Sequence, residues 1–70
     1  MDDLWRQLGL RPEDIWLIMP VYNEETVIGE VVDSVRPFGY RLVVVDDCSS
    51  DRTYDLVRER TWVNLLRHQF

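Results

Sequence analysis

The 70 residues predict an α/β fold, a βαβαβ chain of parallel strands, and three features carry that prediction. Two short apolar runs, Ile15 to Met19 and Leu42 to Val45, each pass at once into a polar loop, YNEE after the first and DDCSSD after the second. Both runs are too short, and too rich in β-branched or aromatic residues, for core helices. Between them the apolar residues recur at three- and four-residue spacing, the period of a helix face. Strand, helix, strand in that order gives parallel neighbours joined by a right-handed crossover, with both polar loops on one edge of the sheet.

Taken in order, Asp2 to Leu8 suits a short helix, with Asp2 and Asp3 at its positive end and Gly9 as a left-handed stop. Residues 1–14 read as an N-terminal extension and 15–70 as a single domain. The first strand is expected to stop at Pro20, which has no amide hydrogen to continue a ladder. From Thr26, Val27, Ile28, Val31, Val32 and Val35 define a helix face to about Val35, with Asn23 as N-cap, Glu24, Glu25 and Glu30 in the early turns, and Arg36 and Pro37 closing it. Gly39 turns the chain into Leu42 to Val45, a strand apolar at every position and therefore expected to be covered on both faces. Asp51 or Ser50 caps a second helix, Arg52 to about Arg60, with Leu56 and Val57 inward, and Trp62, Val63, Leu65 and Leu66 give a third strand. Helices on one face only would leave the other sheet face open, so the chain reads as the N-terminal part of a larger α/β domain.

Composition narrows the function. A net charge of −5 and the absence of any basic stripe argue against non-specific nucleic-acid binding, which depends on neutralising phosphates. All eight basic residues are Arg, so the phosphate-gripping Lys of a P-loop and Schiff-base chemistry are excluded within this chain. No apolar run approaches the ~20 residues of a membrane span, and the acidic N-terminus is not a secretory signal. The single cysteine, Cys48, forms no internal disulfide and fits a cytosolic setting.

The two strand-end loops pool Tyr22, Asn23, Glu24, Glu25, Asp46, Asp47, Ser49, Ser50 and Asp51. Ionised carboxylates only accept hydrogen bonds, so such a pocket selects a donor-rich ligand edge: a nucleobase N–H, ribose hydroxyls or a hydrated cation. Tyr22 adds a flat face for a base or ribose. Bare phosphates would be repelled, and Met19-Pro20-Val21-Tyr22 stands where a dinucleotide fold has its glycine turn, which argues against a nicotinamide enzyme.

The pair PVYNEE and VVVDDCSSDRT on consecutive strands resembles the start of the family 2 inverting glycosyltransferases, especially the branch of dolichyl-phosphate mannosyltransferase and related polyprenyl-phosphate sugar transferases. The resemblance covers about Ile15 to Phe70. It implies a partial GT-A (Rossmann-like) unit that binds a nucleotide sugar, a UDP- or GDP-sugar, for transfer to an acceptor such as a polyprenyl phosphate. By resemblance the nucleotide-binding positions are Pro20, Tyr22, Glu24, Val45 and Asp47, with Asp47 accepting from the base N–H and Pro20 and Tyr22 lining the base and ribose. Asp46 is expected to accept backbone amides of its own loop, as an Asx turn does. The family implies Mg²⁺ or Mn²⁺, but its D-x-D motif, its acceptor-activating acid and its glycine-rich segment fall beyond Phe70. No catalytic or metal-binding residue is therefore assigned here, and the isolated chain is expected to be inactive. The resemblance also implies a cytoplasmic protein, at the membrane surface in a full-length form.

Plainer readings stand beside these. Asp46 and Asp47 suit a solvated turn, Glu24 and Glu25 a helix dipole, and Tyr22 simple packing. Cys48 reads as an inert small residue, His68 as a surface or packing histidine, Arg52 as a solvated helix-start residue, and Trp5, Trp16 and Trp62 as core or edge packing. Two rival functions remain. One is a receiver-like signalling domain, which the missing Lys and the position of the acidic pair after the second strand oppose. The other is a non-catalytic interaction module acting through the open sheet face, the same face that favours self-association.

Overall fold

The structure is a computed structural model in which residues 7–69 are described. Three parallel strands form one sheet in the order β1-β2-β3: β1 (Trp16–Val21), β2 (Arg41–Asp46) and β3 (Asn64–Arg67). Helix α1 (Ile28–Val35) connects the first two strands and α2 (Thr53–Arg58) the last two. The expected βαβαβ order and the parallel pairing of β1 with β2 are therefore present. The N-terminal helix expected at Asp2 to Leu8, with Trp5, falls largely outside the described residues, while Gly9 has the left-handed φ of 77°.

Strand β1 departs from expectation in an instructive way. It runs on through Pro20, which pairs with Val45, to Val21. The Arg41 amide donates to the Ile15 carbonyl and the Asp47 amide to the Val21 carbonyl, both at 2.9 Å. Odd-numbered residues of β1 thus face the β2 ladder, and even-numbered Pro20 turns its missing donor to the outer edge, where nothing is lost.

The helix expected from Thr26 starts at Ile28, after a turn in which the Val27 and Ile28 amides donate to the Glu24 carbonyl. The second helix is shorter than expected, and the third strand begins two residues later than Trp62, whose ring instead lies under the Arg36 guanidinium at 5.7 Å. Gly39 makes the expected left-handed turn, φ 75°, into β2.

Two right-handed crossovers across strands laid down in sequence send both helices to the same side. There Val21, Ile28, Val32, Leu42, Val44 and Val57 form the core. Along β2 the even-numbered residues are buried and Val43 and Val45 only half-buried. The expectation that β2 is covered on both faces is therefore corrected: among the described residues one sheet face packs and the other, with Trp16, Ile18, Pro20, Val43, Val45 and Leu66, does not.

Candidate functional site

The strand order places the loop after β1 beside the loop after β2, and a set of hydrogen bonds locks them together. The Asn23 amide donates to Ser49 Oγ at 2.9 Å, and that hydroxyl in turn donates to Asp46 Oδ1. One step along, the Glu24 amide donates to Thr53 Oγ1 at 2.7 Å, and that hydroxyl donates to Asp51 Oδ1. Each hydroxyl thus accepts from the first loop and passes its own hydrogen to a carboxylate of the second, satisfying both of its roles. The Asn23 side chain closes the set from the other direction, its Oδ1 accepting the Ser50 amide at 2.9 Å and lying 3.4 Å from that of Asp51.

Backbone strain marks the same two places. Asn23 (φ 51°) and Cys48 (φ 57°) both adopt the left-handed region, which costs a residue with a Cβ about 1–2 kcal/mol. Asn is among the few that tolerate it, because its short amide bonds locally. Asn23 is thus corrected from helix N-cap to loop clamp: the turn between Asn23 and Ile28 carries its amide away from the helix start.

Asp46 is fully buried at the end of β2. It accepts the Ser49 amide at 3.1 Å, as the Asx-turn reading expects, and faces Arg67 Nε at 3.3 Å. Arg67 also donates to the Ser49 carbonyl at 2.9 Å and lies 4.7 Å over the Tyr54 ring. Nothing in the sequence around Arg67 signalled this; it follows from the Asp46↔Arg67 register, which only the sheet reveals.

Asp51 lies below its ordinary value of 3.8: desolvation pushes it up, but the hydroxyl and amide of Thr53, the Glu25 amide and its own amide outweigh that. Of the nine polar residues pooled at the strand ends, Asn23, Asp46, Ser49 and Asp51 are thus engaged in the lock. Tyr22, Glu24 and Asp47 carry exposed side chains.

The five positions assigned by resemblance lie at or just beyond the ends of β1 and β2. Pro20 and Val45 are register partners. The Asp47 amide, bonded to the Val21 carbonyl, extends the same ladder beyond them to the threshold of Tyr22. Glu24 follows on the locked loop. The Asp47 Oδ1 atom lies 3.1 Å from His68 Nδ1, a contact that the reading of His68 as a packing or surface residue missed. His68 is held there by its own amide, which donates to the Asp46 carbonyl at 2.8 Å just past the end of β3.

A surface concavity lined by Asp33, Arg36, Glu59, Arg60, Thr61 and Trp62 lies away from these loops. It is spanned by the Arg60–Asp33 ion pair, 2.7 Å at its shorter contact, which ties the region after α2 to α1. The Arg60 hydrogen bond holds Asp33 below the usual carboxylate range. Its chemistry is that of a structural brace.

With the geometry in place, comparison with known proteins decides the family. The model for glycosyl transferase family 2 matches residues 16–69, from the first residue of β1 to the end of the described chain. This chain belongs to glycosyl transferase family 2. An uncharacterized protein of Methanocaldococcus jannaschii is 35% identical over 51 residues, covering 71% of this chain and 21% of that protein. A Methanococcus voltae protein named UDP-N-acetylglucosamine–dolichyl-phosphate N-acetylglucosaminyltransferase is 44% identical over 46 residues, covering 64% of this chain and 18% of its own length. The chain thus spans about a fifth of the length of these curated relatives. No solved structure matches significantly. Family membership favours the glycosyltransferase reading over the receiver-like one.

Proposed function

We propose that this chain is the nucleotide-sugar-binding portion of a family 2 glycosyltransferase, taking a UDP- or GDP-sugar for transfer to an acceptor such as a polyprenyl phosphate. The observation that carries the reading is the loop lock: it consumes Asn23, Asp46, Ser49 and Asp51 and leaves Tyr22, Glu24 and Asp47 exposed in the loops that follow Pro20 and Val45. An acceptor-only carboxylate and an aromatic face are what a base N–H and a ribose require. Asp47 takes the base donor, Tyr22 and Pro20 pack on the base and ribose, and Glu24 accepts from ribose hydroxyls.

The donor's diphosphate would meet repulsion from so acidic a surface unless its charge were offset. The family resemblance supplies Mg²⁺ or Mn²⁺ for that purpose. Among the described residues no group of three or more His, Cys, Asp or Glu is gathered to hold such an ion. The reading assigns this chain binding and orientation. An acceptor phosphate suits the chemistry, because its anionic oxygen attacks without a base to deprotonate it. This acceptor class accords with the dolichyl-phosphate named for the Methanococcus voltae relative, and with it the reading includes a cytoplasmic protein working at the membrane surface. No helix among the described residues is long and apolar enough to cross a membrane.

Calorimetric titration of the purified chain with UDP-N-acetylglucosamine and GDP-mannose tests the reading. Saturable binding is expected, weakened by about 1.5–3 kcal/mol in Asp47→Ala, the worth of one charge-assisted hydrogen bond. Undiminished binding by that variant would remove Asp47 from the site, and no binding of either donor would overturn the assignment.

A further inference from the structure

We infer that His68 sets nucleobase specificity, by occupying one oxygen of Asp47 so that the site takes uracil in preference to guanine. The inference rests on the nucleotide-binding reading above and adds the base. Its observation is the 3.1 Å contact between His68 Nδ1 and Asp47 Oδ1. An ionised carboxylate only accepts, so Nδ1 is the donor and carries the hydrogen.

The placement of the imidazole is built into the sheet. Arg67 pairs with Asp46 as the last register position of β2 and β3, and the His68 amide then donates to the Asp46 carbonyl at 2.8 Å. Asp47 is anchored in the same way on its other side, by its amide to the Val21 carbonyl at 2.9 Å. Both residues thus leave adjacent strands under main-chain control, with side chains that meet just beyond the sheet.

That geometry counts acceptors. With Oδ1 engaged, Asp47 presents Oδ2 as its unshared oxygen. Uracil offers one ring donor, N3–H, flanked by carbonyls, and one oxygen is enough for it. Guanine offers two adjacent donors, N1–H and the exocyclic amine, which a carboxylate satisfies fully only with both oxygens, in the fork geometry that makes bidentate pairs strong. Where His68 already donates to one of them, guanine must either leave a donor short or displace the imidazole. A site that leaves a ligand donor unpaired discriminates against that ligand.

Binding of UDP and GDP to the full chain, measured side by side by calorimetry, tests this. The wild type is expected to hold UDP at least fivefold more tightly than GDP. His68→Ala frees Oδ1, so the UDP-to-GDP preference should fall about three- to tenfold, chiefly through a gain in GDP affinity. His68→Asn places an amide donor close to where Nδ1 stands and should restore the preference to within about twofold of wild type. Loss of fold, monitored by circular dichroism, would weaken both nucleotides together and cannot produce a change in their ratio. The imidazole nitrogen resonances of His68 should also shift in Asp47→Asn at fixed pH. Equal or tighter GDP binding by the wild type, or a ratio unmoved in His68→Ala, would overturn the inference while leaving the nucleotide site standing. Failure of the wild type to bind either nucleotide would instead remove the reading beneath it.

Discussion

At the scale of single residues, the candidate site is a division of labour among groups that look alike in sequence. Asp46, Asp47 and Asp51 lie within six positions, yet one is buried against Arg67, one is exposed beside His68 and one holds the start of α2. Asn23 shows the same economy, since its left-handed φ of 51° aims the amide at Ser50. Asn23→Ala should therefore cost about 1–3 kcal/mol in urea unfolding, combining the lost hydrogen bonds with the strain of Ala in that conformation. Asn23→Gly should cost less, because Gly adopts the conformation freely and loses only the amide. Equal losses would mean that the backbone contributes nothing. Asp51 predicts a pH dependence: with its folded value below 3.8, its contribution is complete above the unfolded value and is lost as pH falls through the lower folded one. The melting-temperature difference between wild type and Asp51→Asn should shrink as pH drops from neutrality into that strongly acid window; a difference constant with pH would contradict the assignment.

At the scale of elements, apolar spacing located α1 but overstated how much of its face packs. Val27, Ile28, Val31, Val32 and Val35 all lie on the expected stripe, but Val32 is 0% exposed and Val31 42%. A single sheet face beneath the helix reaches only the centre of the stripe. Val32→Ala should accordingly destabilise the chain by about 2 kcal/mol, from two lost methyl groups and the space they leave. Val31→Ala should stay within about 0.5 kcal/mol, and similar losses at both positions would mean that α1 is rotated from the position described. The strands were legible for the same reason as the helix, because period-two or continuous apolar runs bounded by turn residues have few other homes. What sequence could not supply was pairing across the sheet. Pro20 stopped the expected strand because its missing amide is disqualifying only if it faces a neighbour, and that depends on β1 being an edge with odd residues inward. Arg67 and His68 were opaque for a related reason: their partners lie about twenty residues away and meet them only through the β2–β3 register. The acidic residues of the candidate site stand out in the sequence, whereas the hydrogen bonds that decide which of them remain exposed do not.

At the scale of the whole fold, the governing feature is a sheet that the described residues cover on one side. Both crossovers place their helices over Leu42 and Val44, so Trp16, Ile18 and Leu66 on the opposite face are 52%, 71% and 58% exposed. They stand with Pro20, Val43 and Val45 in a nearly uncharged field; Arg41 is there too, its guanidinium 5.2 Å over the Trp16 ring. Apolar residues gathered on one exposed face favour association, and among the described residues β1 is an edge strand. In the 70-residue chain the occupant is expected to be a second copy, since two such faces bury one another's apolar side chains while each Arg41 guanidinium stays over its own Trp16 ring. Sedimentation velocity should then show a weight-average mass that rises with concentration. Ile18→Lys puts a charge in the face without touching the core beneath the helices. It should return the chain to a monomer with an unchanged circular dichroism spectrum. A wild type that stays monomeric across a broad concentration range would show that this face is tolerated in water, and association that persists in Ile18→Lys would move the contact to another surface.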